Sequence, residues 1–566
     1  MKWNLDDILK IKDFDKLLAE VEIVFLKYKK LIAKPQAKMS EKKFKEIIDF
    51  GEKLSKKLSR LGGLPGLILT TDTKNQQARL METRVNNLSL KISEETIKFS
   101  HWMKGLGDPA VAGLDDKNAK RLFGSIKDLE YSLDYSRKGA KYSLKENEEK
   151  IIMNKDTNLA NAIDNLRELI QNEIKYKIGK KTIKTQAELL DYVYSKKPKE
   201  RREAYEQLLG KQKENIDKFF VIYQATVQDW VYETKLRNYK SPISVRNFAN
   251  EIDDEVVEVL MKVVEKNKKI FHRYFQAKAQ KLGVKKLNRI DLYAPIEEKQ
   301  TKMDYEKGVK LVLETFEEFS PNFAKAAKTI IDNKHIDVYP GENKRSGAFC
   351  ATLSNEIDPY IMLNYTGKLR DISTLAHELG HGVHSIYANG HYSSVQSANL
   401  PLAETASTLA ELLVFEKFKK EMLWQKMGDM YATILRQTYF TLFEKEAHEA
   451  IQKGITEKDL SKMYLNNLKQ QFGDAVEVPE MFQYEWSYVS HIFSTPFYCY
   501  AYSFGQLLAL SLYGKYKKNK SFLKNIEEIL KAGGSKNPEK LLKKQGVNIR
   551  DESFWQEGFD IMNKWI

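Results

Sequence analysis

The first third of the chain carries a helical pattern of apolar and polar positions. Over residues 5–172, apolar residues recur every three to four positions among Lys and Glu, which predicts amphipathic helices packed through one face. The stretch 62–65, Gly-Gly-Leu-Pro, is expected to end one helix, and the stretch 105–113 with Pro109 to separate two others. No cluster of His, Cys and carboxylates occurs here, so we interpret this third as a helical scaffold or lid.

The periodicity changes near residue 180. Ile174, Tyr176 and Ile178 alternate with polar residues, and a Gly-Lys pair follows, which predicts a small β-hairpin. Helical spacing resumes after this point and continues to about residue 282. We therefore divide the chain into a helical N-terminal region, 1–180, and a second region, 181–566.

A second non-helical region lies between residues 335 and 365. The segments 335–340, 346–352 and 360–365 are rich in β-branched and aromatic residues and are separated by Gly and Asn, which predicts short strands in a small sheet. An edge strand of such a sheet could pair with an extended peptide. After Asn389 the helical pattern returns, so the fold class is mainly α with a small β-sheet.

The helix predicted after this sheet has two chemically different faces. Asp371 is its expected N-cap, and Asn389-Gly390 is expected to end it. At 100° per residue the imidazoles of the helix share a narrow arc, opposite an apolar face. The imidazoles are those of His377, His381 and His384, and the apolar face contains Ile372, Leu375, Leu379, Val383 and Ile386.

Two histidines one turn apart can bind a single tetrahedral zinc ion. His377 and His381 have this spacing, and Glu378 follows the first of them, so it would stand beside the metal and could deprotonate a bound water. A surface or capping cluster is the alternative interpretation. A chance match would usually place a histidine on the apolar face, and this one does not.

A catalytic zinc usually takes three protein ligands, so a third is expected downstream. A helix predicted to begin at Pro401 places Glu404, Thr408 and Glu411 on one face. We predict Glu404 as the third ligand of one zinc ion per chain. Glu411 could orient a ligand from behind, or it could simply be solvated.

Composition excludes several other classes of protein. The 566 residues carry a net charge of +15, but Lys and Arg are interleaved with Asp and Glu, which argues against nucleic-acid binding. We see no apolar signal-peptide core and no stretch long enough to cross a membrane. The two cysteines, Cys350 and Cys499, cannot form a disulfide framework, so we expect a cytoplasmic protein.

Donors for a tetrahedral oxyanion are sought in the segment 490–505, which contains His491 and several tyrosines. If Pro496 begins a helix, Tyr498 and Tyr502 share a face and Tyr500 points away. From the residues alone, these tyrosines could equally be core aromatics.

Five motifs in order resemble the oligoendopeptidase F branch of the thimet oligopeptidase-like zinc metallopeptidases. They begin at Gly341, Pro359, Thr374, Ala403 and His491. The second reads Pro-Tyr-Ile-Met-Leu-Asn-Tyr and the third Thr-Leu-Ala-His-Glu-Leu-Gly-His-Gly-Val-His. Their order across the last two thirds of the chain is more specific than any one of them.

This resemblance implies a bowl- or clam-like helical protein with a deep central channel, in which 181–566 is the catalytic region. It implies an endopeptidase that cuts short, unstructured oligopeptides, with zinc-bound water as nucleophile and Glu378 as general base. Zinc ligands would be His377, His381 and Glu404. His491, Tyr498 and Tyr502 would stabilise the transition state, whereas Gly347, Ala348, His384 and Tyr500 would contact substrate.

Two other functions are compatible with the same residues. A zinc carboxypeptidase or other exopeptidase would need a closed channel end, and a peptide-binding scaffold would have no need of the general base Glu378. Manganese or cobalt could also occupy a site of two imidazoles and a carboxylate. The expected partners are short peptides, with neither nucleic acid nor a membrane, and the oligomeric state is left open.

Overall fold

The computed structural model describes residues 2–107, 111–296 and 302–566, and it is mainly helical, as predicted. Pro109 lies outside the described residues. Within these ranges, no helix combines the length and the apolar composition that a bilayer span requires.

Helices make up most of the fold, and the strands between them have only two or three residues each. The first twelve helices are α1 (Phe14–Ile32), α2 (Glu41–Thr71), α3 (Gln76–Met103), α4 (Asp116–Gly124), α5 (Glu130–Lys138), α6 (Glu146–Glu173), α7 (Gln186–Asp191), α8 (Pro198–Glu214), α9 (Ile216–Leu236), α10 (Pro242–Ala249), α11 (Asp254–Lys281) and α12 (Tyr305–Phe319). The others are α13 (Pro321–Asp332), α14 (Leu369–Tyr387), α15 (Ser393–Gln396), α16 (Leu400–Ala403), α17 (Thr405–Lys417), α18 (Lys419–Met430), α19 (Arg436–Gln452), α20 (Glu457–Phe472), α21 (Ser490–Ser494), α22 (Tyr500–Lys518), α23 (Leu523–Lys531), α24 (Pro538–Lys544) and α25 (Glu552–Asn563). The strands are β1 (Tyr176–Ile178), β2 (Lys181–Ile183), β3 (Leu287–Asn288), β4 (Ile336–Asp337), β5 (Phe349–Ala351), β6 (Tyr360–Met362) and β7 (Val476–Glu477).

The chain folds into two compact units, each built from three separate segments. Unit 1 contains Met1–Lys150, Gln300–Lys417 and Lys515–Val547, and unit 2 contains Ile151–Lys299, Phe418–Gly514 and Asn548–Ile566. The predicted boundary at residue 180 does not coincide with these units.

The reason for the difference is the core of unit 1. Buried residues of the N-terminal helices share one hydrophobic cluster with Ile357, Tyr360 and Met362 of the sheet region. The Trp3 and Tyr360 rings lie 6.0 Å apart, edge to face. The N-terminal helices therefore bury their apolar faces against a distant segment rather than forming a separate scaffold.

The predicted helix end at 62–65 is wrong, because α2 continues through Gly62, Gly63 and Pro65 to Thr71. Gly63 allows close packing here instead of ending the helix. A Cβ on Gly63 would lie 2.7 Å from the Leu353 side chain. Burial of the apolar face of α2 thus outweighs the local cost of glycine and proline within a helix.

Both predicted β regions are confirmed. Strands β1 and β2 form an antiparallel hairpin with Tyr176 opposite Ile183, and Gly179 in the turn has a φ of +57°. In unit 1, β4, β6 and β5 form a sheet in that order. Strand β6 pairs parallel with β4 and antiparallel with β5, so β5 is an edge strand.

Helices α14 and α17 pack closely because of a glycine at their crossing. A Cβ on Gly380 would lie 2.6 Å from the Cα of Ser407 and 2.7 Å from the Ala406 carbonyl oxygen. Backbone atoms cannot move aside as a flexible side chain can. The absence of a side chain at Gly380 therefore sets the distance between the two helices.

Candidate active site

Helix α14 begins three residues earlier than predicted. Lys368 is its N-cap, and Asp371 is the third residue of the helix instead of the cap. The Asp371 carboxylate accepts hydrogen bonds from the backbone N–H groups of Thr366 and Lys368, at 2.7 and 3.1 Å. Asp371 still fixes the start of the helix, because a carboxylate in the first turn satisfies free amide groups.

The two faces of α14 differ as predicted, except that the third imidazole, His384, is buried. Ile372, Leu375, Leu379 and Val383 are completely buried, whereas the His377 and His381 side chains are about one quarter exposed, at 28% and 25%. Their rings lie 4.9 Å apart, edge to face.

Glu404 completes a three-residue cluster with these histidines. Its Oε2 lies 3.4 Å from the Nε2 atoms of both His377 and His381. One ligand atom from each of the three residues lies within 4.8 Å of the others. All three belong to unit 1.

The sequence predicted that Glu404 lies within a helix that begins at Pro401, and this prediction is wrong. Helix α16 ends at Ala403, and Glu404 joins it to α17. The Ser407 hydroxyl donates to Glu404 Oε2 at 2.7 Å. The same carboxylate oxygen therefore contacts the Ser407 hydroxyl and both imidazoles.

Glu411 lies behind the first histidine. Its Oε2 is 3.5 Å from His377 Nδ1, and its Oε1 accepts from the Ser373 hydroxyl at 3.2 Å. Burial lowers the pKa of His377, but hydrogen bonds and charge from Glu404 and Glu411 raise this pKa to about 10 overall. Burial opposes ionisation of Glu404, whereas the two imidazoles hold the pKa of Glu404 well below its usual range.

The donor set fits a catalytic zinc ion. Two imidazole nitrogens and one carboxylate oxygen are the ligands of several zinc hydrolases, and a three-ligand site leaves a coordination position for substrate or water. The carboxylate on the far side of His377 matches the usual second partner of a metal-binding histidine, which fixes the orientation of the ring.

Glu378 points into the same region but is not one of the three clustered residues. It is only 6% exposed. Burial raises the pKa of Glu378, and the neighbouring His377 and His381 partly oppose that rise. A carboxylate with a raised pKa is a better proton acceptor near neutral pH than an ordinary surface glutamate.

A cavity of about 330 Å³ adjoins these side chains within unit 1. His384 lines it, and burial lowers the pKa of His384 to about 4, so its ring is neutral. The His384 ring has a hydrogen bond to the backbone of Ala403, while Nε2 has no hydrogen-bond partner among the described residues.

Edge strand β5 also borders this cavity. Ala348, Phe349 and Cys350 line it. Gly347 precedes Ala348 with a φ of +83°, and its carbonyl accepts from the Asn364 amide at 2.8 Å. An edge strand beside the metal-ligand cluster can offer backbone groups to an extended peptide.

His491, Tyr498 and Tyr502 form a second cluster, which lies in unit 2. The His491 and Tyr498 rings stack with 5.7 Å between centroids, and His491 Nε2 lies 3.2 Å from the Tyr502 hydroxyl oxygen. All three side chains are half-buried. Burial and the charges of two arginines lower the pKa of His491.

Two expectations about this segment need correction. Helix α22 begins at Tyr500, not at Pro496, which lies in a turn. Tyr500 is completely buried, and Asn250 donates to its hydroxyl at 2.7 Å. Because Tyr500 has no exposed surface for a substrate to contact, we assign it to the core.

Comparison with known protein families matches residues 191–561 to peptidase family M3. The match covers well over half of the chain. The chain belongs to peptidase family M3. The predicted resemblance is thereby confirmed, and the matched residues fall within the region 181–566.

The M3 peptidase is similar along nearly its whole length to named relatives. It is 28% identical to the oligoendopeptidase F homolog of Borreliella burgdorferi, over 97% of this chain and 94% of that protein. It is 24% identical to oligopeptidase PepF of Bacillus subtilis, over 89% and 77% of the two chains. The fold matches the crystal structure of oligoendopeptidase-F from Enterococcus faecium with a TM-score of 0.72 at 20% identity, covering 98% and 97% of the chains.

Sequence reasoning missed several residues that build the site of this M3 peptidase. Ser373 and Ser407 hold the carboxylates of Glu411 and Glu404, and Gly380 sets the approach of α17. The only signal in the sequence is the run of small residues at 405–408, Thr-Ala-Ser-Thr, which is typical of closely packed helices.

Proposed function

We propose that this M3 peptidase is a cytoplasmic zinc endopeptidase that hydrolyses internal bonds of short, unstructured oligopeptides. The observation that carries the proposal is the joint position of His377, His381 and Glu404 with the buried Glu378 beside them. The names of the relatives, oligoendopeptidase F and oligopeptidase, support the choice of substrate.

His377, His381 and Glu404 are the proposed zinc ligands, one ion per chain. When bound there, zinc supplies Lewis-acid chemistry that polarises the scissile carbonyl and makes water a stronger nucleophile. Glu411 keeps His377 oriented by accepting from its Nδ1, which leaves Nε2 as the ligand atom.

Glu378 is the proposed general base. Its carboxylate takes a proton from the attacking water and then delivers that proton to the departing amine, so the residue is regenerated at the end of the cycle. Its burial excludes competing solvent and favours this exchange, because the carboxylate is less strongly hydrated than at the surface.

His491, Tyr498 and Tyr502 are the proposed donors to the carbonyl oxygen that becomes negative in the transition state. Tyrosine hydroxyls and an imidazole N–H are suitable donors for an oxyanion. Their partial exposure, in contrast to the buried Tyr500, supports this role.

Substrate backbone is proposed to pair with the edge at Gly347 and Ala348. His384 lines the same cavity and is also proposed to contact substrate there. Since these contacts involve peptide backbone more than side chains, we expect broad tolerance of substrate sequence.

The test is hydrolysis of internally quenched peptides of graded length by zinc-loaded protein, with products identified by mass. Glu378→Gln protein of equal zinc content serves as the blank. We expect internal cuts in short peptides and a loss of activity toward long or folded substrates. Stepwise removal of residues from one end would instead identify an exopeptidase, and absence of cleavage would leave a peptide-binding scaffold.

A second experiment tests the identity of the metal. The metal-free protein is reloaded with zinc, manganese or cobalt, and the activity of each form is compared.

A further inference from the structure

The turn between α21 and α22 has a strained backbone. The N–H of Tyr498 donates to the Thr495 carbonyl at 3.1 Å, so residues 495–498 form a tight turn with Pro496 in its second position. Phe497, in the third position, has a φ of +59°. Glycine or asparagine usually occupies such a position, and a bulky residue there needs strong support from its surroundings.

Glu444 of α19 provides this support. Its Oε1 accepts from the Phe497 N–H at 2.7 Å, and the Phe497 ring packs on His448, one turn further along α19, at 4.6 Å. On the other side of the turn, Arg246 Nε donates to the Pro496 carbonyl at 3.1 Å. All these residues belong to unit 2.

Burying the Glu444 carboxyl group is unfavourable in free energy, which is unusual for a purely structural contact. It is completely buried, and its Oε2 has no hydrogen-bond partner among the described residues. Burial raises the pKa of Glu444 to about 8, so near neutral pH it is mostly the uncharged acid. An apolar side chain would destabilise the core less but could not accept from Phe497.

The turn leads directly to the second cluster. Tyr498 follows Phe497 and stacks on His491, and Tyr502 lies one turn further, with its hydroxyl beside His491 Nε2. A change of backbone conformation at Phe497 would therefore displace Tyr498 first. It would also disturb the contact between His491 and Tyr502.

We propose that Glu444 is a positioning residue, which holds the strained turn at Phe497 and thereby the orientation of Tyr498 and Tyr502 beside His491. This inference rests on the proposed role of those three side chains as oxyanion donors. Glu444 contacts none of the reacting atoms and acts only through the Phe497 amide.

The test compares two replacements of Glu444. Gln keeps an acceptor oxygen of the same reach, and we expect kcat within about threefold of wild type. Met has similar length without an acceptor, and we expect kcat to fall about a hundredfold with KM little changed. The affinity for a phosphinic peptide, a transition-state mimic, should fall in parallel with kcat. Zinc content should not change.

Two further variants separate positioning from loss of stability. Leu468→Ala removes a buried side chain from α20 in the same unit and should lower the melting temperature without lowering kcat at 25 °C. Combining Glu444→Met with Phe497→Gly gives the turn a residue that adopts positive φ without strain, and should recover part of the lost kcat.

Wild-type kcat in Glu444→Met, or equal losses of kcat in the Gln and Met variants, would overturn the positioning role. Absence of recovery in the folded double variant would also count against it. Failure of the wild-type protein to cleave peptides would overturn the proposed function instead, and the two results are therefore distinguishable.

Discussion

The two units place their candidate catalytic side chains by different physical means. In unit 1, His377 and His381 owe their positions to regular helix geometry, and Glu404 joins them through close packing of α14 on α17. In unit 2, Tyr498 owes its position to a turn that departs from common backbone geometry. Regular backbone suits metal ligands, whose spacing must be fixed, whereas a strained turn can orient side chains around a developing charge.

The largest effect should come from the proposed general base in unit 1. Glu378→Gln should lower kcat by about a thousandfold or more, because the amide cannot take the proton from water. Metal analysis should show the zinc content of wild type. Loss of the metal in this variant would make Glu378 a ligand instead of a base.

The next effect belongs to unit 2. Tyr502→Phe should lower kcat by about a hundredfold, the usual effect of removing one oxyanion donor. Tyr500→Phe is the matched control, since its hydroxyl is bonded to Asn250 in the core, and should affect melting temperature more than turnover. The opposite ranking of the two variants would show that the wrong tyrosine has been assigned.

Helix packing in unit 1 can be tested without altering any polar group. Gly380→Ala should weaken zinc binding by about ten- to a hundredfold, because its Cβ would meet the backbone of Ser407 at 2.6 Å and force Glu404 away. The measurement is a competition titration with a zinc chelator. Gly390→Ala, where an added Cβ meets nothing within 4 Å, is the control and should bind zinc normally.

A smaller change is expected behind the first histidine. Glu411→Gln should weaken zinc binding by about tenfold, because the amide is a poorer partner than a carboxylate for the Nδ1 of His377. The same chelator competition measures it. If the variant binds zinc with unchanged affinity, Glu411 is simply a solvated carboxylate, which is the alternative interpretation.

The smallest effect is a pH dependence of stability in unit 2. Burial raises the pKa of Glu444 to about 8 from 4.5, so the folded protein binds one proton more than the unfolded chain between these values. Its contribution to stability is therefore largest below pH 4.5 and is lost as pH rises toward 8. Relative to Glu444→Gln, the wild-type melting temperature should fall by a few degrees between pH 5 and 8. A constant difference would mean that the carboxyl group does not titrate in this range.

Residues whose roles depend on local spacing were predictable from the sequence. The i, i+4 pair His377 and His381 and the intervening Glu378 follow from helix periodicity alone. The position of Glu404 beside these histidines was also predicted correctly. Its local structure was not, but the search for a third ligand did not depend on the helix beginning at Pro401.

Residues whose roles depend on long-range packing or strain were not predictable. Proline suits the first turn of a helix and the second position of a tight turn equally well, so Pro496 was assigned to the wrong one. Nothing in the propensity of phenylalanine indicates positive φ at Phe497. Sequence rules describe residues in their preferred backbone conformations. They fail where a candidate functional site holds a residue in a conformation that it rarely adopts.

The contact at Gly380 changes how related sequences should be read. A chain could retain both histidines and both glutamates of the proposed site, and still bind metal much more weakly because of one added methyl group between the histidines. Searches for inactive members of this family should therefore compare the residue that separates the helices, as well as the residues that carry the chemistry.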